Sequence, residues 1–157
     1  REYHFSEFWK EAPKAYKKLL VLITIFSIAN SSDVFLILKL KSISSDSTAI
    51  LGYVFFNIIY ALFSYPAGVL SDKFSKRLIF GTGLIIFSAV YTGFSFADNL
   101  PVIFILFTLY GLYSAATDGI SKAWISDFVD DRNRATAIGL YNSVTGLGIL
   151  LGSSLAG

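Results

Sequence analysis

The sequence contains no cysteine, no methionine and a single histidine, His4, among its 157 residues. Without cysteine there is no disulfide framework, no metal-thiolate site and no thiol nucleophile. With one histidine, neither a Ser-His-Asp triad nor a histidine-based metal site can be assembled. The phosphate-binding pattern G-x-x-x-x-G-K-[ST] is also missing. The sequence therefore argues against an enzyme, and it predicts no cofactor and no metal.

Charge is scarce as well. Charged residues make up 15% of the chain and hydrophobic residues 54%, whereas soluble domains have about 25% and about 45–50%. Five nearly charge-free windows, each about as long as the 17–25 residues that a membrane-spanning helix needs, lie at Leu19–Leu40, Thr48–Leu70, Leu78–Phe96, Val102–Ile125 and Thr136–Gly157. They lack the alternation of barrel strands. The sequence predicts an all-α, multi-pass membrane protein.

Two regions are expected from this pattern. Residues 1–18 place aromatic side chains at helical spacing among lysines, which predicts a linker with an interfacial helix, broken near Pro13. A solvated linker is the alternative. Residues 19–157 predict one helical bundle, because the connections between spans are short and make successive helices antiparallel neighbours.

The basic residues are unevenly distributed between the two sides of the predicted bundle. Eleven of the 13 Lys and Arg residues lie on the side of the N-terminus, and only Lys39 and Lys41 lie on the other side. By the positive-inside rule the N-terminus and the loops 71–77 and 126–135 are cytoplasmic. The formal charge of +2 is too small to suggest a nucleic-acid partner.

Polar residues inside the spans indicate which faces avoid lipid. In the second span Tyr53, Asn57, Tyr60 and Ser64 form one stripe. In the first span Asn30 and Asp33 share a broad sector. The fourth span has a second stripe, made of Tyr110, Ser114, Thr117, Asp118 and Ser121. These residues are predicted to line a cavity for substrate or ions, namely Asn30, Asp33, Tyr53, Asn57, Tyr60 and Asp118.

Asp33 is the leading candidate for proton coupling. An ionised carboxylate near the bilayer centre costs at least about 2.5–3.5 kcal/mol, so water, a cation or protonation must offset it. A hydrogen-bonded Asp that only fixes helix packing is the alternative. Asp118 has its own alternative, an interfacial ion pair with Lys122 one turn away.

The fifth span is rich in small residues, among them Gly148 and Gly152 at the spacing G-x-x-x-G. Small residues let helix backbones approach closely. Simple close packing, with no substrate role, is the favoured interpretation of this pattern.

Three stretches resemble the major facilitator superfamily. "GVLSDKFSKR" is similar to its loop signature at Gly68, Leu70, Asp72, Lys73, Lys76 and Arg77, and it departs at Ser75, where the family usually has glycine. In "TDGISKAWISDFVDDRNRATAIGLYNSVTGLG", Asp127 and Arg134 match an acid-x6-Arg signature. "FSIANSSDVFLILK" resembles a seventh helix.

The resemblance implies helices seven to eleven of a twelve-helix transporter, preceded by the central linker and lacking the last helix. It also implies a cytoplasmic charge network for gating, in which Lys76 and Arg77 pair with Asp127, and Arg134 joins them. Asp72 would face the missing N-terminal half, and Lys73 belongs to the same loop. The alternative is that these bases only mark topology.

The function expected from these features is secondary active transport of a small solute by alternating access, coupled to protons. The expected partners are the solute, protons, the lipid bilayer and the missing N-terminal half, with no nucleic acid. The expected location is a bacterial cytoplasmic membrane. A non-transporting receptor or scaffold built from the same helices is the alternative.

Overall fold

A computed structural model of the chain describes residues 5–30 and 34–156. Within these ranges the chain forms helices joined by short connections, and no strand is present. The helices are α1 (Phe5–Glu11), α2 (Lys14–Ala29), α3 (Val34–Ile43), α4 (Asp46–Lys73), α5 (Lys76–Phe96), α6 (Leu100–Ser126), a 3₁₀ helix (Asp131–Asn133) and α7 (Arg134–Ala156). The predicted all-α polytopic class is confirmed.

Among the described residues, four helical segments are long and apolar enough to cross a membrane. They are Asp46–Lys73, Lys76–Phe96, Leu100–Ser126 and Asp131–Leu155. They correspond to the second to fifth predicted windows, so the chain is an integral multi-pass membrane protein.

The first predicted window, 19–40, differs from one continuous helix because it is divided between α2 and α3. Helix α2 ends at Ala29, and the backbone N–H of its C-cap residue, Asn30, donates to the Phe26 carbonyl at 2.7 Å. The three residues that follow lie outside the described ranges.

Polar caps fix where the central helices begin. The Ser45 hydroxyl accepts the Thr48 N–H at 3.3 Å before α4, and Asn99 Oδ1 accepts the Val102 N–H at 3.1 Å in α6. Ser75 caps α5 by accepting the Leu78 N–H at 3.3 Å. Its φ of −63° and ψ of 134° suit any residue, so serine replaces the family's usual glycine without strain.

Pro13 and Pro101 lie at helix starts, where the missing N–H is not needed, whereas Pro66 lies inside a helix. Pro13 separates α1 from α2 and stands at the N-cap of α2, so the predicted break is present. Pro101 is the second residue of α6, where the N–H has no helical partner in any case. Pro66 lies inside α4, which continues to Lys73.

The chain divides into two compact units. The first, here called the terminal unit, combines residues up to 32 with those from 122 onward, and its main contact is between α2 and α7. Tyr16 is fully buried there, and its hydroxyl donates to the Ala137 carbonyl at 3.1 Å. Burial raises the pKa of Tyr16 to about 12, because the charged phenolate is poorly solvated.

Two glycines of α7 set the distance between α2 and α7. A Cβ on Gly148 would lie 3.0 Å from Ser27 Cβ, and one on Gly152 would overlap the Ile28 carbonyl oxygen. The backbones thus approach closely, as G-x-x-x-G spacing predicts. The packing interpretation of these glycines is confirmed.

The second unit, here called the central unit, comprises residues 33–121, which include α3, α4, α5 and most of α6. Helix α6 is the most buried of its long helices. Large apolar side chains such as Tyr65 and Phe96 are about 80% and 79% exposed on its outside. Lipid, rather than water, is the environment in which such a surface carries no penalty.

Two exposed ion pairs lie in the central unit. Lys39 Nζ is 4.0 Å from Asp98 Oδ1, and Lys41 Nζ is 3.1 Å from Asp46 Oδ1. They join the end of α3 to the start of α4 and to the α5–α6 connection. Exposed pairs of this kind contribute about 0–1 kcal/mol each.

Candidate functional site

The predicted stripe of α4 is present as one helical row, with local hydrogen bonds along it. Asn57 Nδ2 donates to the Tyr53 carbonyl at 2.8 Å, and the Ser64 hydroxyl donates to the Tyr60 carbonyl. Tyr53 is 46% exposed, and Asn57, Tyr60 and Ser64 are half-buried. The stripe therefore remains largely accessible on the central unit.

Tyr60 is the residue of this stripe that lies near Asp118 of α6. Its hydroxyl lies within electrostatic reach of the Asp118 carboxylate and near the Ser64 side chain. A phenol beside a carboxylate can donate a charge-assisted hydrogen bond to it. The structure thus brings together Tyr60 and Asp118, two residues that the sequence places on separate spans.

Asp118 is deep in the span yet exposed on the surface of this unit. It lies eight residues before Ser126, the end of α6, which is about 12 Å along the helix axis. Charged groups at such depth usually face a protein interior or a water-filled cavity. The Tyr60–Asp118 pair, with Tyr53 and Asn57 beside it, is the candidate functional site.

An aromatic cluster lies behind this site and holds α4, α5 and α6 together. The Tyr110 ring lies 5.2 Å from Phe56, 5.3 Å from Tyr113 and 6.2 Å from Tyr91, between ring centroids. Phe87 adds contacts at 4.4 Å to Tyr91 and 5.1 Å to Tyr113. Interlocked rings of this size fix the helices that position Tyr60 and Asp118.

The hydroxyls of the α6 stripe have a different environment from Asp118. Ser114, Thr117 and Ser121 are buried. Thr117 Oγ1 donates to the Tyr113 carbonyl at 2.9 Å, and Ser121 Oγ donates to the Thr117 carbonyl at 2.6 Å. A Cβ on Gly83 of α5 would lie 2.7 Å from Thr117 Cγ2. These hydroxyls therefore serve helix packing, and only Asp118 of this stripe reaches the accessible surface.

The predicted polar sector of the first span is described only in part. Asn30 is half-buried at the end of α2, in the terminal unit. Asp33 lies outside the described residues, so its role remains a prediction.

The charged residues of the 72–77 loop lie at the end of α4 and at the start of α5. Asp72 and Lys73 belong to the last turn of α4, and Lys76 and Arg77 belong to the first turn of α5, with two residues between the helices. Lys73 is favourable at the C-terminus of α4, the negative end of that helix dipole. Lys76 and Arg77 are unfavourable at the N-terminus of α5, the positive end of its dipole. Helix stability does not explain why Lys76 and Arg77 stand there.

Asp127 and Arg134 flank the 3₁₀ helix of the terminal unit. Asp127 is exposed just after α6, and Arg134 opens α7. Arg134 Nη2 lies 2.6 Å from Asp131 Oδ1. Arg134 thus has an acidic neighbour within its own loop, which the sequence pattern did not single out.

The aromatic cluster is the feature that sequence reasoning missed. The sequence pattern assigns Tyr110 to a polar stripe, and it gives no role to Phe56, Tyr91 or Tyr113. Pairs such as Phe87 with Tyr91, and Tyr110 with Tyr113, stand one helical turn apart. That spacing was the available signal, but it does not say which helices face each other.

Residues 19–157 match the family model described as Major Facilitator Superfamily. The chain belongs to this family. The recognition made from the loop signatures is confirmed. No solved structure matches the chain.

Curated proteins similar to this chain are named as transporters or transport proteins. An uncharacterized MFS-type transporter of Methanocaldococcus jannaschii is 36% identical over 94% of this chain and 39% of its own length. Inner membrane transport protein RhmT of Escherichia coli is 30% identical over 72% of this chain and 26% of its length. A hexuronate transporter of Bacillus subtilis is 25% identical over 68% of this chain and 26% of its length. The chain thus spans about two fifths or less of the relatives it matches.

Proposed function

We propose that the chain is the C-terminal part of a secondary transporter that moves a small solute by alternating access, driven by a proton gradient. The proximity of Tyr60 and Asp118, which lie on two different spans, carries this proposal. A carboxylate exposed on a membrane-spanning unit is compatible with lipid only if water or another part of the transporter covers it. The N-terminal half is the proposed cover, and the cavity between the halves is the proposed solute site.

Within this cavity the α4 stripe would contact the solute. Tyr53 and Asn57 present an aromatic face and an amide, groups that bind sugars and aromatic compounds alike. Among the relatives, one is named a hexuronate transporter and another a multidrug transporter protein. A hexuronate and an aromatic drug are therefore the first solutes to test.

Asp118 and Asp33 are the proposed proton carriers. Both are carboxylates within predicted spans, and a carboxylate that is shielded from water gains a proton more readily. Asp118 would exchange its proton while Tyr60 keeps the carboxylate oriented. Asn30 would border the same passage from the first span.

We further propose that Lys76, Arg77, Asp127 and Arg134 form the cytoplasmic gate, with Asp72 and Lys73 facing the other half. Lys76 and Arg77 stand against the dipole of α5, and Asp127 stands against that of α6. An ion pair with an opposite charge offsets the unfavourable interaction of each group with its helix dipole. Such exposed pairs contribute about 0–1 kcal/mol each, so they can break in every transport cycle. We also propose, from the positive-inside rule, that the N-terminus lies on the cytoplasmic side of a bacterial membrane.

The test is uptake by the full-length protein in proteoliposomes with an imposed pH gradient. Glucuronate and ethidium serve as the two probes. Asp118→Asn is expected to lower gradient-driven uptake about tenfold or more, because a lost charge-assisted hydrogen bond corresponds to about 1.5–3 kcal/mol. Tyr60→Phe should give a smaller loss, and Asp33→Asn should remove the pH dependence.

Asp46→Asn is the matched control, since Asp46 pairs with Lys41 on the exposed surface and should leave uptake unchanged. If Asp118→Asn and Asp33→Asn both transport like the parent protein at every pH, the proton-carrier roles are wrong. If a probe stabilises the protein against heat but never crosses the membrane, the receptor alternative is correct instead.

A further inference from the structure

An apolar groove runs along the surface of the terminal unit. It has a volume of about 340 Å³ and is lined by Trp9 of α1, by Leu20, Val21 and Ile25 of α2, and by Leu140 and Val144 of α7. Val21 is 52% and Ile25 60% exposed, so the groove opens to the surroundings. We call it the Trp9 groove.

The walls of the Trp9 groove are mainly apolar. Thr24 also lines it, but its hydroxyl donates to the Leu20 carbonyl at 2.7 Å and is satisfied within its own helix. Among the described residues, those that line the groove carry no charge. Apart from the Trp9 indole N–H and the Thr24 hydroxyl, these walls are hydrocarbon, which suits a hydrocarbon chain better than a polar solute.

A positive charge lies next to the Trp9 wall of the groove. Lys17 Nζ lies 5.4 Å from the centroid of the Trp9 ring, a cation–π distance. It also donates to the Lys10 carbonyl at 3.5 Å, which uses one of the three donors of an ammonium group. Lys10, Lys14 and Lys18 are exposed in the same segment.

The nearby acids do not cancel this charge at the groove. Glu11 lines a separate cavity of about 190 Å³, together with Phe8, Pro13 and Asp130. Trp9 belongs to the other face of α1, because adjacent residues of a helix are 100° apart. Glu7 is exposed on α1 and does not line the groove.

We infer that the Trp9 groove binds an anionic phospholipid, with one acyl chain in the groove and the phosphate on Lys17. An apolar groove with a cation beside one of its walls matches a molecule with a hydrocarbon tail and an anionic head. Basic pockets at the membrane surface recognise anionic headgroups in this way. Tryptophan favours the same headgroup level. The inference needs only a membrane location and is independent of the transport proposal.

The test uses Trp9 itself as the reporter. The full-length protein is prepared with Trp9 as its only tryptophan, which within this chain requires Trp124→Phe. It is placed in bilayers of phosphatidylglycerol and phosphatidylcholine in which either one or the other has brominated acyl chains, which quench tryptophan fluorescence on contact. At equal mole fraction, brominated phosphatidylglycerol should quench Trp9 with an apparent affinity about fivefold higher, the preference that about 1 kcal/mol per lysine gives.

Lys17→Gln should bring the two lipids to equal quenching. Lys41→Gln, a lysine of the central unit, is the matched control and should keep the preference. Val144→Phe fills the groove and should reduce quenching by phosphatidylglycerol, with helix content checked by circular dichroism. The inference is overturned if the parent shows no preference, if the preference survives Lys17→Gln, or if neither lipid quenches Trp9 because protein covers the groove.

Discussion

The two units hold their helices together in different ways. In the terminal unit α2 and α7 meet through small residues, because Gly148 and Gly152 bring the backbones close to Ser27 and Ile28. In the central unit α4, α5 and α6 meet through interlocked rings around Tyr110. Lipid removes the usual hydrophobic force between helices, so association depends on van der Waals fit. Close backbone approach and large interlocking rings are two solutions to the same requirement.

The units also differ in how they treat polar groups. The terminal unit encloses the Tyr16 hydroxyl and pairs it with a backbone carbonyl. The central unit leaves a carboxylate, Asp118, exposed and pairs it with Tyr60. Enclosed polar groups serve stability, whereas an exposed intramembrane carboxylate is a group available for function.

The largest expected effect tests the ring packing of the central unit. Tyr110→Ala removes a side chain that is 1% exposed and contacts three other rings. We expect the free energy of unfolding to fall by about 3–5 kcal/mol, the cost of deleting a buried aromatic ring. Titration of the protein in detergent micelles with dodecyl sulfate measures it.

Phe96→Ala is the control, because Phe96 is 79% exposed and its loss should cost about 0.5 kcal/mol or less. Equal losses in the two variants would mean that the rings around Tyr110 do not hold the central unit together.

A smaller effect tests the backbone contact of the terminal unit. Gly152→Ala should lower the free energy of unfolding by about 1–3 kcal/mol, since its Cβ would overlap the Ile28 carbonyl and force α7 away from α2. Gly146→Ala is matched to it, because a Cβ there meets nothing within 4 Å. The control should be neutral, or more stable by about 0.5–1 kcal/mol through helix propensity. A neutral Gly152→Ala would show that α2 and α7 do not pack through this glycine.

The smallest effect concerns the enclosed hydroxyl. Tyr16→Phe loses one hydrogen bond, to the Ala137 carbonyl, and should cost about 0.5–1.5 kcal/mol at neutral pH. Thermal unfolding in detergent would detect this as a lower midpoint. Tyr65→Phe, which loses a hydroxyl at an 80% exposed position, should not change the midpoint.

The stability difference between the parent protein and Tyr16→Phe should also depend on pH. The pKa of Tyr16 rises from 10.0 to about 12 on folding, so neutral Tyr16 stabilises the fold fully below pH 10. That stabilisation is lost as the pH rises from 10 towards 12, because the unfolded chain releases the proton first. The advantage of the parent over Tyr16→Phe should therefore shrink over this interval. A constant difference up to pH 12 would contradict the burial of Tyr16.

Much of the fold could be predicted from particular residues. The caps Ser45 and Asn99 stand directly before the apolar runs of α4 and α6, and the Gly148–Gly152 spacing predicted a close helix contact that the structure contains. The division of residues 19–40 was not predicted, because apolar content sets the length of a window but does not reveal that a helix ends at Ala29 within it.

The candidate site was predicted residue by residue but not as an assembly. Tyr60 and Asp118 were both assigned to a cavity, on separate spans, and their proximity could not be foreseen. Periodicity gives the angle of a side chain around its own helix. It gives neither the partner helix nor the rotation of that partner.

The sequence by itself therefore determined the membrane class, the helical windows, the family and the faces that carry polar groups. These follow from local properties, namely hydrophobicity, capping and residue spacing along one chain. Only the tertiary structure decided that Tyr60 meets Asp118, that Thr117 packs on Gly83 while Asp118 stays exposed, and that Lys17 lies over Trp9 beside an apolar groove. Such contacts depend on the relative rotation and depth of helices that are far apart in sequence, and side-chain packing sets both.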